Sequence, residues 1–313
     1  MAAITAAMVK ELRELTGAGM MDCKKALTAT EGNMEAAVDF LREKGLAGAQ
    51  KKAGRIAAEG LVSTLVNEAG TQAVIVEVNA ETDFVAKNET FRSYVQEVAA
   101  QALTTSAADI DAFRNEKWAL DSSMTVAEKL SSMISIIGEN MQIRRFQKVE
   151  EKEGCVVSYI HAGGKIGVLI DVKSDVVNDA VKEMAKNVAM QVAALKPLYT
   201  SDQEVDADYI AKEREILMAQ IKNDPKESTK PEKVIAGIVE GRIKKELKEI
   251  CLLDQAYVKA ADGKQTVAQY VAEVAKENSA KIEIKGFVRF ETGEGLEKKN
   301  ENFAEEVAKQ MGV

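Results

Sequence analysis

With 313 residues, 46% of them hydrophobic, the chain is long and apolar enough for two or three buried cores, and a disordered protein is excluded. Its 50 acidic and 42 basic residues are interspersed and give a formal net charge of −8, which argues against direct binding to nucleic acid because phosphate contacts need a basic surface. No apolar run reaches the roughly 18 residues of a membrane span, and the three cysteines without CxxC spacing fit a reducing cytosol, so we expect a soluble cytoplasmic protein with no membrane contact.

The first 45 residues predict three short helices. Val9 and Leu12 are spaced as on one helical face, and Asn33 is placed to cap the third helix. Residues 46–58 are small and basic, which predicts a linker with helical tendency. A helical module of this size is near the lower limit of independent stability and is typical of small folds that bind partner proteins.

An internal repeat is the most informative feature of the sequence. Residues 59–66 align with residues 153–160, and residues 74–78 align at the same offset with residues 168–172. All four segments alternate apolar and polar residues and are rich in β-branched side chains. Each pair therefore predicts a β-hairpin, and the two hairpins predict a duplicated unit.

A helix is predicted after each hairpin, with Asn88 and Asn178 as matching N-caps. Between strand and helix the first copy is four residues longer, and this segment, residues 79–87, contains Asp83 and Phe84. Phe84 either folds back on the core or has a function. The shorter second copy favours a function, because it shows that the fold does not require the longer segment.

Between the two copies, residues 109–138 predict helical structure around the only tryptophan, Trp118. Thr125 and Glu128 have the spacing of a capping box, and Gly138 is a stop signal. After the second copy the sequence changes in character, since two charged amphipathic segments surround a proline-containing link.

These segments, residues 202–222 and 232–252, predict an antiparallel helical hairpin. Gly237 and Gly241 are predicted to let its helices approach closely. Residues 284–290 then predict a further strand, and an amphipathic helix follows it.

Catalytic motifs are scarce. The only histidine, His161, lies in a turn-like run, and no GxSxG motif accompanies it. The sequence contains neither a GxxxxGK[ST] phosphate-binding loop nor a GxGxxG motif after a predicted strand. The sequence predicts no catalytic residue, no metal site and no cofactor, although an enzyme centred on His161 remains an alternative.

The predicted fold class is therefore α+β with two duplicated subdomains that contain antiparallel sheets. The predicted divisions are a helical module with its linker at 1–55, core subdomain N at 56–145, core subdomain C at 146–201 and 254–290, the helical hairpin at 202–253 and a C-terminal module with a helix at 291–313.

Several motifs resemble the signatures of the bacterial elongation factor Ts family, from the first helix to the last. They occupy residues 9–13, 16–27, 82–87, 137–140, 143–145, 286–290 and 293–295. The family's fold is similar to the one predicted here: a ubiquitin-associated (UBA)-like helical module, two related α+β subdomains, an antiparallel coiled-coil hairpin and a C-terminal module. The resemblance implies a guanine-nucleotide exchange factor that binds elongation factor Tu in its GDP-bound and nucleotide-free states.

The resemblance also implies which residues contact the partner. The segment around Asp83 and Phe84 would enter the nucleotide-binding domain near its magnesium ion and loosen GDP, and the final helix, residues 303–311, would also reach that domain. The implied contact residues are Thr82, Asp83, Phe84 and Val85 in this segment, Arg13, Met20, Met21 and Lys24 on the helical module, and Ile137, Gly138 and His161 on the core.

Two alternatives stay open. The tandem methionines Met20 and Met21 are either core residues of the helical module or part of a binding surface, for which methionine is well suited. The chain as a whole is either an exchange factor or an adaptor that binds partners without exchange activity. An adaptor would tolerate shortening of the segment that contains Phe84.

Overall fold

The computed structural model describes residues 4–297 and shows an α+β protein. The α-helices within these residues are α1 (Ala6–Thr16), α2 (Met20–Ala29), α3 (Met34–Lys52), α4 (Asp83–Lys87), α5 (Glu89–Thr104), α6 (Ile110–Asn115), α7 (Val126–Ile137), α8 (Asp179–Leu195), α9 (Ala207–Asn223), α10 (Glu232–Ile250) and α11 (Val267–Glu277). The strands are β1 (Glu59–Val66), β2 (Gln72–Ala80), β3 (Lys117–Trp118), β4 (Asp121–Thr125), β5 (Met141–Glu150), β6 (Gly154–His161), β7 (Ile166–Ser174) and β8 (Ile282–Glu291).

The N-terminal module consists of α1, α2 and α3, and the prediction of three helices is confirmed. Its small core includes Leu12, Cys23 and Leu27, and the Asn33 side chain caps α3 as predicted. The helical tendency predicted for the linker is confirmed as far as Lys52, because α3 continues through residues 46–52. Helix α3 packs on α7, and Gly45 lies in this contact, where a Cβ atom would be 3.7 Å from the Cβ atom of Ser135.

Each copy of the repeat forms a hairpin, a helix packed on that hairpin and a third strand from further along the chain. The sheets have the orders β1-β2-β5 and β6-β7-β8, and all their pairings are antiparallel. Both predicted hairpins are confirmed. Helix α5 packs on β1 and β2, and α8 packs on β6 and β7, with Asn88 and Asn178 as the N-caps.

Two matching details show how closely the copies correspond. Gly60 and Gly154 hold equivalent positions, and at each a Cβ atom would collide with the backbone of the paired strand, at Val78 and Val172 respectively. The pairing with the third strand is interrupted by a β-bulge immediately before these same valines. The duplication therefore includes the irregular features of the sheet as well as the hydrophobic pattern.

The two sheets pack against each other through a shared apolar layer that includes Val62, Ile75, Leu169 and Phe290. Backbone hydrogen bonds also cross between the copies, for example from the Val62 N–H to the carbonyl oxygen of Gly164 at 2.7 Å. Both sheets are therefore covered on two faces, by their own helix and by the other sheet.

Glu77 lies at the first bulge and is 0% exposed. Its carboxylate accepts hydrogen bonds from Arg144 at 3.0 Å, from Arg145 at 2.6 Å and from the backbone N–H of Gly293 at 2.8 Å. The Arg145 guanidinium in turn lies 4.1 Å from the ring centroid of Phe290. One buried carboxylate thus joins β2, β5 and the turn that follows β8.

Asp171 holds the equivalent position at the second bulge and has a different environment. It faces another carboxyl group, Glu151, and its Oδ1 atom is buried without a hydrogen-bond partner. Burial raises the pKa of Asp171 to about 6, with further increases from hydrogen bonding to Glu151 and from its charge, while Lys285 acts in the opposite direction. The second copy therefore contains a carboxylate that is poorly stabilised at neutral pH.

We predict that Asp171→Asn raises the free energy of unfolding at pH 7.5 by about 1 kcal/mol. The folded-state pKa is above the ordinary value, so the folded protein binds the proton more tightly than the unfolded chain. Wild-type stability should therefore fall as pH rises from about 4 to about 6. Urea denaturation at pH 7.5 and pH 4 measures the effect, and the gain should vanish at the lower pH. Asp39→Asn, on an exposed part of α3, is the control, and an equal effect of both variants would contradict the prediction.

The helical hairpin of α9 and α10 extends from the second copy. Its antiparallel arrangement is visible in the pairing of Tyr209 with Glu246 and of Arg214 with Glu240, at 2.6 and 2.7 Å. Apolar residues including Ile221 and Val239 form the contact between the helices. The prediction for Gly237 and Gly241 is wrong, because both are exposed and open space surrounds the position of a Cβ atom at each.

The prediction of helical structure over residues 109–138 is confirmed for α6 and α7. It is wrong for Trp118 itself, because this residue lies on β3 in a short hairpin with β4. The side chain of Gln101 holds the hairpin by hydrogen bonds to the backbone on either side of Trp118, both 2.9 Å long. Tertiary contacts therefore override the local helical tendency. The capping box of Thr125 and the stop at Gly138, which is left-handed with φ of 90°, are confirmed.

The predicted C-terminal helix, with residues 303–311, lies outside the described residues. Within residues 4–297, no helix combines the length and the apolar character needed to cross a bilayer.

Candidate partner-binding surface

The short helix α4 carries Phe84, the most exposed large hydrophobic side chain within residues 4–297. The Thr82 hydroxyl caps the helix by accepting the Val85 N–H at 3.4 Å, and Val85 and Ala86 are buried against the first copy's core. Phe84 is 79% exposed. Its side chain therefore does not fold back on the core, and that alternative is wrong.

Asp83 forms an ion pair with Lys87 one turn later, at 2.6 Å. The hydrogen bond from Lys87 lowers the pKa of Asp83 below its ordinary value, and the positive charges of Lys87 and Lys165 act in the same direction. The Lys87 ammonium also lies 5.8 Å from the ring centroid of Phe84. The exposed aromatic ring is thus accompanied by a carboxylate that stays ionised at neutral pH.

The turn between α7 and β5 lies directly beside α4. Ile137, the last residue of α7, is partly buried, and Gly138, the first residue of the turn, is exposed. The next residue, Glu139, accepts both the backbone N–H and the hydroxyl of Thr82, at 3.0 and 2.7 Å. Two of the predicted contact segments are therefore joined by direct hydrogen bonds.

The turn between β6 and β7 approaches α4 from the second copy. Arg92, on α5, donates to the carbonyl oxygen of Ala86 at 3.5 Å and to that of Gly163 at 3.3 Å. His161 lies at the start of this turn and is exposed, with its Nδ1 atom 2.9 Å from the Tyr159 hydroxyl. The duplication thus brings His161 to the same region as Phe84.

The tip of the N-terminal module borders the same region. The turn between α1 and α2 packs on the end of α7, because Gly17 lies against the side chain of Ile136. Met20 and Met21 are 59% and 64% exposed, so the core alternative for these methionines is wrong. Arg13 and Lys24 are also exposed.

Together these segments form one surface, which we call the α4 surface: the tip of the N-terminal module, the turn after α7, α4 itself and the turn before β7. Met20, Met21 and Phe84 on this surface are exposed apolar side chains, and neighbouring side chains of this kind are typical of protein-binding sites. Sequence reasoning missed Leu15, which is also exposed on the module. Glu139 and Arg92 were missed as well, and no local signal identifies them because their partners are distant in sequence.

The α4 surface contains no arrangement of side chains suited to covalent chemistry. Its histidine is exposed and its neighbour is a tyrosine rather than a carboxylate or nucleophile. In the part of the chain that the structure describes, no three His, Cys, Asp or Glu side chains cluster in a way that could hold a metal ion. The α4 surface is instead suited to binding through its shape, its exposed apolar area and its charged side chains.

Comparison with known proteins agrees with the fold. The family model for Elongation factor TS matches residues 81–294. The Elongation factor Ts of Clostridioides difficile (strain 630) is 54% identical over 311 residues, which cover 99% of this chain and 100% of the relative. That of Clostridium novyi (strain NT) is 52% identical over 308 residues, covering 98% and 99%.

These matches define a translation elongation factor, a protein of protein biosynthesis. More specifically, the chain belongs to the elongation factor Ts family.

Proposed function

We propose that this protein is a cytoplasmic guanine-nucleotide exchange factor that binds elongation factor Tu and promotes release of its GDP. The observation that carries the proposal is the 79% exposure of Phe84 on a helix whose neighbouring residues are buried. A fold gains nothing from an aromatic side chain held in water, whereas a partner gains a large apolar contact from it.

In the proposed mechanism, α4 enters the partner's nucleotide-binding domain near the magnesium ion and phosphates. Phe84 displaces the part of that domain that holds the magnesium ion and the phosphates. Thr82 caps α4 and Val85 anchors the helix in the core, so both residues hold Phe84 in position. The Asp83 carboxylate, whose pKa is lowered further by the hydrogen bond from Lys87, is ionised at neutral pH. It repels the phosphates and so destabilises the GDP-bound state relative to the nucleotide-free state.

The rest of the α4 surface supplies binding energy. If GDP release is accelerated about a thousandfold, the protein must prefer the nucleotide-free partner by about 4 kcal/mol. One aromatic side chain contributes a few kcal/mol of this, and a broad interface contributes the remainder. We propose that this interface consists of Arg13, Met20, Met21 and Lys24 on the module, and of Ile137, Gly138 and His161 on the core.

The proposal extends to the organisation of the chain. We propose that the N-terminal module, residues 1–55, is UBA-like and that the hairpin, residues 202–253, is a coiled coil. Subdomain N would occupy residues 56–145, subdomain C residues 146–201 and 254–290, and the C-terminal module residues 291–313. Nucleic acid, membranes and cofactors have no part in the proposed mechanism.

The decisive experiment measures release of labelled GDP from elongation factor Tu with and without the purified protein. We expect acceleration of about a thousandfold at saturating concentration. The same assay is applied to a variant in which residues 79–87 are shortened to the length of the corresponding segment in the second copy. Binding with no acceleration by the wild type would identify an adaptor instead of an exchange factor, whereas full exchange activity of the shortened variant would contradict the role of α4.

A further inference from the structure

Both ends of α4 are held by side chains from other parts of the fold. At its start, the two oxygen atoms of Glu139 accept the N–H and the hydroxyl of Thr82, at 3.0 and 2.7 Å. At its end, Arg92 connects the carbonyl oxygen of Ala86 with that of Gly163 in the second copy, at 3.5 and 3.3 Å. The helix is thereby attached to two turns that belong to different halves of the molecule.

These attachments matter because α4 is too short to be stable alone. Helix formation has an unfavourable nucleation step, and isolated helices below about 12 residues are marginal in water. The five residues of α4 therefore depend on their surroundings. Val85 and Ala86 fix one face of the helix in the core, but the exposed ring of Phe84 has no such packing. Its direction depends on how firmly the helix ends are held.

We propose that Glu139 and Arg92 are positioning residues for nucleotide exchange, which rests on the proposed function. They hold α4 in its helical form before the partner arrives, so that the ordering of this segment does not reduce the affinity of the complex. They also connect α4 with the turn that contains Gly138 and with the turn that contains His161. Three of the four segments of the α4 surface, namely α4 and these two turns, therefore meet the partner in a fixed relative arrangement.

The proposal makes a prediction about the free protein. Glu139→Gln keeps one acceptor oxygen and replaces the other by an amide NH2 group, which only donates. The two charge-assisted contacts to Thr82 therefore become neutral and weaker, and the Thr82 hydroxyl must turn from donor to acceptor. We expect the backbone amides of Val85, Ala86 and Asn88 to exchange with deuterium about tenfold faster than in the wild type. Arg92→Ala, at the opposite end of the helix, should give the same result.

Hydrogen–deuterium exchange measured by NMR on the full chain tests this without any partner. Glu68→Gln is the matched control, because Glu68 is exposed and lies far from α4 in the turn of the first hairpin, and it should leave these amides unchanged. Melting curves establish that each variant is folded. Unchanged amide exchange in both Glu139→Gln and Arg92→Ala would overturn the proposal.

A second measurement separates positioning from direct contact with the partner. Glu139→Gln is expected to slow GDP release about fivefold in the wild-type background and less than twofold in the Phe84→Ala background, because it acts through Phe84. An equal loss in both backgrounds would mean that Glu139 contacts the partner itself, and the positioning role would be wrong. If the wild type does not accelerate GDP release, the proposed function fails, and amide exchange still reports whether α4 is held.

Discussion

Phe84→Ala is expected to slow GDP release from elongation factor Tu by about a hundredfold at saturating concentration, while the melting temperature changes little. A hundredfold corresponds to about 2.7 kcal/mol, within the range of aromatic residues at the centre of interfaces. The free energy of unfolding should change little because Phe84 is 79% exposed and its ring contributes little to the core. The measurement is GDP release over a range of protein concentrations, with a melting curve for each variant.

Phe91→Ala is the matched control for this experiment. Phe91 lies one element further along the chain, on α5, and is 0% exposed in the core of the first copy. Its truncation should lower the free energy of unfolding by about 3–5 kcal/mol. The two phenylalanines should thus separate activity from stability. A Phe84→Ala protein that melts far below the wild type, or that retains the wild-type rate, would contradict the assignment of Phe84.

Glu77→Gln is expected to lower the free energy of unfolding by about 3 kcal/mol or more. Removal of one partner from a buried ionic network leaves the remaining charges without compensation. Here the two guanidinium groups of Arg144 and Arg145 lose their shared carboxylate, and the Gly293 N–H loses a charged acceptor. Urea denaturation measures the loss, and it should persist at high salt because screening is weak for a buried group.

The hairpin offers the control for this variant. Glu240→Gln breaks a comparable pair, between Arg214 and Glu240 at 2.7 Å, but on the exposed surface, where such a pair contributes less than about 1 kcal/mol. Opposite effects are expected at the equivalent bulges of the two copies: neutralising Glu77 should destabilise the protein, whereas neutralising Asp171 should stabilise it. A change below 1 kcal/mol for Glu77→Gln would contradict the role of this network.

Local features of the fold were predictable because they depend on residues that are close in sequence. The structure confirms the two hairpins, which were predicted from the alternation of apolar and polar residues. It also confirms the N-caps Asn88 and Asn178 and the helix stop at Gly138. The exposure of Phe84 was also indicated by the sequence, since the second copy does without the longer segment.

Features that depend on distant contacts were not predictable in this way. Alternation places Glu77 on the face opposite Val76 and Val78, which suggests a solvated side chain, but the turn after β8 covers that face. Trp118 was assigned to a helix because nothing nearby in sequence shows that Gln101 holds its backbone in a hairpin. The anchoring of α4 by Glu139 likewise joins segments far apart in the chain and left no local pattern.

The late third strand of the second sheet has a consequence for how the protein is made. Strands β1, β2 and β5 are all complete once residue 150 has been synthesised, whereas β7 must wait for β8, residues 282–291. At about 5–20 residues per second, this delay is roughly 5–20 s. During that time β7 has an open edge that could pair with another chain. The finished first half can cover one face of the second hairpin through the shared apolar layer, but the hydrogen-bonding edge of β7 stays open until β8 has been made.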